Sequence, residues 1–403
     1  LFFSSPEIVI WSQQIMLEIP MIAFSVWSAY FLLKYCDDEK WQDLFKSVLL
    51  LMAAAYTKQI SLVIGLAFFV ALLIQFGGFR FLYKKHVLLI GLFVIIGLIP
   101  LFIMQIKFAS YNIISIANRP NVSINRFGFE SIFWYIKHFP KMMGTELFFI
   151  SIFGIIGTVF NKKWRIKKSD ILVYICWFLI GYLVMTAIDL KEPRHGIYLL
   201  FPLIISATLF LDRFLIAPNQ YLFIPVIAVF LFISTISLNP TPRIDGYNKA
   251  ADLIASVAPP KAKILFAGNQ DGNFIFNLRQ NKNRTDISII RADKLFLNIA
   301  IMANFGLNPK NLTYSQVRHI INELGISYVV TVPHVWSEAL PMAHLSDFLE
   351  SIEFQEVNRI TVTGDTTDNE LIIYKNLNSL PTQPISFDME LRGVGMAFKA
   401  IKE

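Results

Sequence analysis

SVLLLMAAAYTKQISLVIGLAFFVALLIQF, residues 47–76, is an apolar run broken near its middle by Thr57-Lys58-Gln59. A bilayer core takes about 20 mainly apolar residues per helix, so this run is too long for one upright span. A lysine at membrane depth is also costly. The run therefore reads as two short helices meeting at a polar hinge. Outward from it, a first span runs from about Glu18 to Lys34 and ends at the polar loop Cys36-Asp37-Asp38-Glu39-Lys40. Downstream, Val87 to Ile106 is a span containing Pro100, followed by a polar-aromatic loop at 107–144 and spans near 146–160, 171–189, 196–214 and 221–238. About eight spans fill residues 1–240, and 241–403 read as a water-soluble α/β domain.

Composition agrees with this division. Hydrophobic residues make up 55% of the 403 and charged residues 16%, against about 25% charged in soluble domains. The 37 phenylalanines suit lipid-facing and interfacial surfaces. The net charge of +7 does not indicate nucleic-acid binding, because the densest basic cluster lies in a short loop between apolar segments. Cys36 and Cys176 sit at a span end and within a span, which implies no disulfide framework. The chain begins at Leu1 inside an apolar stretch and reads as a fragment preceded by further spans.

Loop charge gives the spans a direction. With two helices in 47–76, the loops 35–46, 78–86, 161–170 and 212–220 share one side and hold Lys40, Lys46, Arg80, Lys84, Lys85, Lys162, Lys163, Arg165, Lys167, Lys168 and Arg213. The positive-inside bias makes that side cytoplasmic and places the C-terminal domain outside, in keeping with a bacterial inner membrane. A single helix there would switch every later loop. The aromatic-rich stretch Phe129 to Met143 reads either as a helix lying flat in the interface or as a covering loop without a ligand.

The same orientation gathers polar residues at the outer surface. Gln14 and Glu18, four apart, share a helix face at the outer end of the first span; Lys58 sits at the hinge; Asp189, Lys191, Glu192, Arg194 and His195 form the loop before the seventh span. Plainer readings exist: Glu18 as a helix cap, Lys58 as a snorkelling lysine, Arg194 and His195 as ordinary loop charges. Together they suggest a cleft with cations and a carboxylate, suited to a lipid-linked phosphate whose charge must be stabilised as it leaves.

At these residues the chain resembles the GT-C membrane glycosyltransferases. The branch is that of the protein O-mannosyltransferases, the aminoarabinose lipid A transferase and the RgtA/B/C/D-like enzymes. Ser5-Pro6-Glu7-Ile8-Val9 leading to Gln14-Ile15-Met16-Leu17-Glu18-Ile19-Pro20, then a span ending Ala29-Tyr30-Phe31-Leu32-Leu33-Lys34, is similar to that group, as is Ala53-Ala54-Ala55-Tyr56-Thr57-Lys58. Lys191-Glu192-Pro193-Arg194-His195-Gly196-Ile197-Tyr198-Leu199-Leu200-Phe201-Pro202 resembles its Arg-aromatic segment at the start of a late span. The resemblance covers roughly 1–215. It implies a GT-C-like polytopic fold and transfer of a sugar from a polyprenyl-phosphate donor to an unknown extracytoplasmic acceptor. Lys58, Arg194 and His195 would serve the lipid phosphate, with Gln14 and Glu18 supporting the cleft. The family's principal catalytic carboxylate lies in its first outer loop, before Leu1, and has no assignment here.

The C-terminal region switches pattern after Asn239-Pro240-Thr241-Pro242. Strands are expected at Lys263–Ala267, Ile287–Arg291, Ser327–Val332, Phe354–Thr363 and Glu370–Lys375, with helices near 247–257, 272–280 and 316–324. Alternating elements point to an α/β sheet. Gly268-Asn269-Gln270-Asp271-Gly272 follows a strand but lacks the dinucleotide spacing and the P-loop lysine. No cofactor is identified, no Cys/His zinc spacing occurs, and no residue indicates a metal. Acceptor or carbohydrate recognition and pure scaffolding both remain open for this domain. The sequons at Asn121, Asn283 and Asn311 are short enough to arise by chance. A transporter or flippase is the alternative function, though no internal repeat supports it; a non-enzymatic envelope scaffold is a third.

Overall fold

The structure, a computed structural model, describes residues 1–12, 16–106, 126–160, 167–188, 191–214, 220–238, 243–297, 309–379, 387–391 and 396–400. The chain divides into two compact units, the first made mainly of Leu1–Gln105 and Ile116–Thr241, the second mainly of Pro242–Glu403.

The first unit is helical. In order come α1 (Pro6–Ser12), α2 (Glu18–Asp38), α3 (Trp41–Thr57), α4 (Ser61–Gln75), α5 (Lys85–Met104), α6 (Phe129–Met143), α7 (Thr145–Phe160), α8 (Lys168–Ala187), a 3₁₀ turn (Pro193–Leu199) running into α9 (Leu200–Phe214), and α10 (Gln220–Leu238). The hinge in 47–76 forms: α3 stops at Thr57, Lys58 is extended at φ −154° and ψ 123°, and α4 starts at Ser61. The first span runs further than its sequence suggests. It continues to Asp38, so Cys36, Asp37 and Asp38 are helical, and it ends where Glu39 turns left-handed at φ 52° with its N–H on Tyr35 O.

Helix length and apolarity distinguish among the expected spans. Among the described residues, four helical stretches are long and apolar enough to cross a membrane: Glu18–Asp38, Lys85–Met104, Lys168–Ala187 and Pro193–Phe214. A fifth exists if α6 and α7, bent by 119°, count as one broken span. Shorter helices fall outside that group. At 1.5 Å per residue α3 and α4 reach only about 26 and about 22 Å, short of a core about 30 Å thick. The α6–α7 bend falls at Gly144, whose φ of +88° favours glycine.

Packing uses small residues where backbones approach. α2 lies along α3, α4 along α8, and α7 along α9. Ser28 Oγ donates to Ser47 O at 2.8 Å, joining α2 to α3. Ser206 Oγ donates to Ser151 O at 2.9 Å between α9 and α7, and a Cβ on Gly154 would lie 1.9 Å from Ser206 O. Trp177, fully buried, stacks on Phe201 with centroids 5.2 Å apart.

The second unit is built on a five-stranded sheet. Its elements are β1 (Ile244–Asp245), α11 (Tyr247–Val257), β2 (Lys263–Ala267), α12 (Asp271–Gln280), β3 (Ser288–Arg291), α13 (Ala292–Phe296), α14 (Tyr314–Glu323), β4 (Ile326–Thr331), α15 (Leu340–Leu349), β5 (Phe354–Thr361), β6 (Thr363–Gly364), β7 (Glu370–Asn376), β8 (Phe387–Leu391) and β9 (Met396–Ala400). The strand order is β3-β2-β4-β7-β5. β2 pairs in parallel with β3 and β4, and β7 runs antiparallel to β4 and β5. One face is covered by α11 and α12 through Ile254, Phe266 and Phe274; the other is covered by α13, α14 and α15 through Phe296, Ile321, Val329 and Phe348. β2 and β4 are buried throughout, as strands covered on both faces must be.

Candidate functional site

Glu18 and Lys58 meet. Glu18 opens α2 and is 3% exposed, and a carboxylate in a first turn is favoured by the helix dipole. Lys58 Nζ donates to Glu18 Oε1 across the α2–α3 hairpin. Lys58 is free to reach it because α3 ends one residue earlier. Ser61, the first residue of α4, is fully buried, and its hydroxyl has no hydrogen-bond partner among the described residues.

A second cluster forms on the 3₁₀ turn. Arg194 Nε lies 2.6 Å from Glu192 Oε2, without the N–H aimed for a hydrogen bond. The guanidinium carbon sits 5.8 Å from the Trp11 ring centroid. Trp11 Nε1 in turn donates to Glu7 Oε1 at 2.6 Å. Burial pushes the Glu7 carboxyl above its ordinary range, opposed by the Trp11 hydrogen bond and by Lys141. The turn packs on α1 and α2, but Glu18–Lys58 and Glu192–Arg194 are separate pairs.

The remaining expected residues fare differently. His195 is half-buried in the same turn, with its backbone N–H on Glu192 O at 3.1 Å. Gln14 lies outside the described residues. Lys191 turns back to donate to Met185 O and Thr186 O, both at 2.7 Å, capping the end of α8. The sequence reading missed Glu7 and Trp11. Their spacing of four within Ser5-Pro6-Glu7 and the following apolar run was the available signal.

An apolar cavity of about 470 Å³ lies between α2, α3, α4 and α5. Its lining climbs α3 from Leu44 to Ala55 and includes Leu62, so it reaches both sides of the Lys58 turn; Ser47 places a hydroxyl on an otherwise apolar wall.

The Gly268–Gly272 loop of the second unit is occupied by its own side chains. Asn269 Nδ2 donates to Asp368 Oδ1 at 3.2 Å and Tyr247 OH to Asp368 Oδ2 at 2.6 Å. Arg291 pairs with Asp271 at 2.6 Å and with Asp293. Burial raises the Asp271 carboxyl, with Arg291 opposing. These groups satisfy one another and offer no phosphate cradle. Among the described residues no group of three or more His, Cys, Asp and Glu side chains is placed to hold a metal ion.

The long apolar helices of the first unit define a multi-pass helical membrane protein. Residues 1–104 match the model of the dolichyl-phosphate-mannose-protein mannosyltransferase family, which points to a membrane glycosyltransferase of the GT-C kind. The matched segment holds Glu18, Lys58 and the cavity-lining helices; Arg194 falls beyond it. No curated protein matches the chain significantly.

Proposed function

We propose that this protein transfers a glycosyl group from a polyprenyl-phosphate-linked sugar to an acceptor on the extracytoplasmic side of a bacterial inner membrane. One observation carries the reading. Inside the family-matched segment, Lys58 pairs with the buried Glu18 just beyond the end of α3, the helix along which the apolar cavity is lined from Leu44 to Ala55. An amphiphile with an anionic head fits that arrangement: its chain lies along α3 while its phosphate approaches Lys58.

In this mechanism Lys58 stabilises the charge that develops on the leaving lipid phosphate. Glu18 holds the ammonium in place and neutralises it until phosphate arrives. Arg194, seated against Trp11 and Glu192, provides a second cation for the phosphate or its approach. No general base is assigned among these residues. A transporter or flippase is not favoured, since the family match is to transferases. Residues 241–403 act outside the membrane in acceptor recognition or as scaffold.

The test is transfer of labelled sugar from a polyprenyl-phosphate donor by the protein in proteoliposomes. Lys58→Ala should lower turnover at least tenfold and Lys58→Arg should recover part of it. Wild-type transfer left unchanged by Lys58→Ala would remove Lys58 from the site. Topology is read separately in a background lacking Cys36 and Cys176. Arg80→Cys should label from the cytoplasm and Asn281→Cys from outside, and the reverse pattern would overturn the orientation.

A further inference from the structure

A second groove lies at the opposite end of α3 from Lys58. It has a volume of about 550 Å³ and is walled by Trp41 and Phe45 of α3 and by Lys85, His86, Leu89 and Phe93 of α5. The Phe45 and Phe93 rings, 5.3 Å apart, form its floor. Trp41 is 52% and Leu89 58% exposed. Such surface suits hydrocarbon and not water.

The head of the groove is basic. α5 begins at Lys85 after Lys84, with no side-chain cap and no acidic residue in its first turn. Its free N–H groups and positive dipole end therefore face cations where helices ordinarily place carboxylates. Neighbouring lysines are compensated: Lys84 by Glu39, Lys40 by Asp38 and Lys46 by Asp43. Among the described residues neither Lys85 nor Arg80 has a carboxylate partner. His86 is fixed by Tyr35, with Nε2 and OH 2.9 Å apart. Beside the groove, Phe79 and Tyr83 are 69% and 79% exposed on the short turn Phe79–Tyr83, as aromatic residues are at a membrane interface.

We infer that this groove binds one anionic phospholipid, its phosphate at Lys85 and the start of α5 and one acyl chain along Leu89 and Phe93 against Phe45 and Trp41. The uncompensated positive charge selects an anionic head over a zwitterionic one. The phosphate positions are separate, since Lys85 lies at the Trp41 end of α3 and Lys58 at the other, while Ile90 forms part of the wall of both cavities.

The full chain, delipidated in detergent, would be titrated with phosphatidylglycerol or phosphatidylcholine and followed by native mass spectrometry and thermal unfolding. One phosphatidylglycerol per chain should be retained and should raise the unfolding midpoint; phosphatidylcholine should do neither. Lys85→Glu should weaken phosphatidylglycerol binding about tenfold, with Lys85→Arg restoring it. Leu89→Trp, which fills the groove without altering charge, should weaken it as well. Both positions are exposed, so the fold is preserved. Equal retention of the two lipids, or binding insensitive to Lys85→Glu, would overturn the site. Loss with Lys85→Glu but not with Leu89→Trp would reduce it to surface charge and overturn the seated chain.

Discussion

Glu18 and Lys58 form an ion pair across forty residues of sequence, with the Glu18 side chain 4% and the Lys58 side chain 29% exposed. The two ends are unequal, and this asymmetry sets the outcome of breaking the pair. Lys58→Ala strands a carboxylate that cannot reach water, whereas Glu18→Gln leaves an ammonium that can. Removing one partner of a buried pair costs about 3 kcal/mol or more. Lys58→Ala should therefore lower the unfolding midpoint in detergent clearly more than Glu18→Gln. The double variant Glu18→Gln with Lys58→Met should recover much of the loss. Equal effects of the two single variants would mean that both groups are hydrated.

Gly154 sets the closest approach of α7 to α9. Any side chain there meets the carbonyl oxygen of Ser206, which is backbone and cannot swing aside. Gly154→Ala should cost about 2 kcal/mol through forced separation of the helices and should weaken the Ser206–Ser151 hydrogen bond. Gly91, whose Cβ would meet nothing within 4 Å, supplies the control: Gly91→Ala should leave the midpoint unchanged or raise it. Comparable losses at both positions would show that glycine matters here through the helix backbone and not through contact.

In the second unit Asp368 is 3% exposed and receives Tyr247 OH and Asn269 Nδ2, with no cation against it among the described residues. Two neutral donors thus hold a buried carboxylate and tie the loop before β7 to α11 and to the end of β2. Asp368→Leu leaves the buried Tyr247 hydroxyl without its acceptor, while the exposed Asn269 amide turns to water, and should cost about 2–3 kcal/mol. Tyr247→Phe removes one bond and should cost about 1 kcal/mol. Chemical denaturation of the full chain, followed by a probe in this unit, separates the two. Tyr247→Phe costing as much as Asp368→Leu would place the network's weight on tyrosine packing.

Much of this architecture can be read from residue order, and its limits have physical causes. The hinge at Thr57–Gln59 is legible because a lysine is too costly to leave in the middle of an apolar span. Placing Glu18 and Lys58 at one end follows from two helices joined by a tight turn. Their direct pairing does not, because it depends on side-chain reach across the hairpin. The end of α2 lies beyond its expected place because charges alone do not stop a helix. Asp37 and Asp38 instead point outward from its last turn, where Asp37 pairs with Lys167 at 2.6 Å. The Glu7–Trp11–Arg194 contact joins residues almost the whole unit apart, and no local pattern announces it. β-branched runs mark β2 and β4, but the order β3-β2-β4-β7-β5 depends on how the chain crosses between faces. Apolarity is visible residue by residue, while the length of each helix depends on where hinges and bends fall.

Asp286 gives the pH dependence a definite sign. The Lys261 backbone N–H donates to its Oδ2 at 2.6 Å, and this bond, with Arg284 alongside, holds the carboxyl below its ordinary 3.8. A depressed folded-state value means that the ionised form is favoured in the folded chain. The stabilisation is complete above the unfolded value and is lost as pH falls through the folded one. Asp245 and Glu356 are lowered in the same direction, so the informative quantity is a difference between variants. Asp286→Asn should destabilise the second unit at neutral pH, and the gap from wild type should close as pH drops below about 4. Unfolding midpoints measured across that interval check the sign. A gap that stays constant would mean that the Lys261 turn, held at φ 59°, depends on the hydrogen-bonding shape of the side chain and not on its charge.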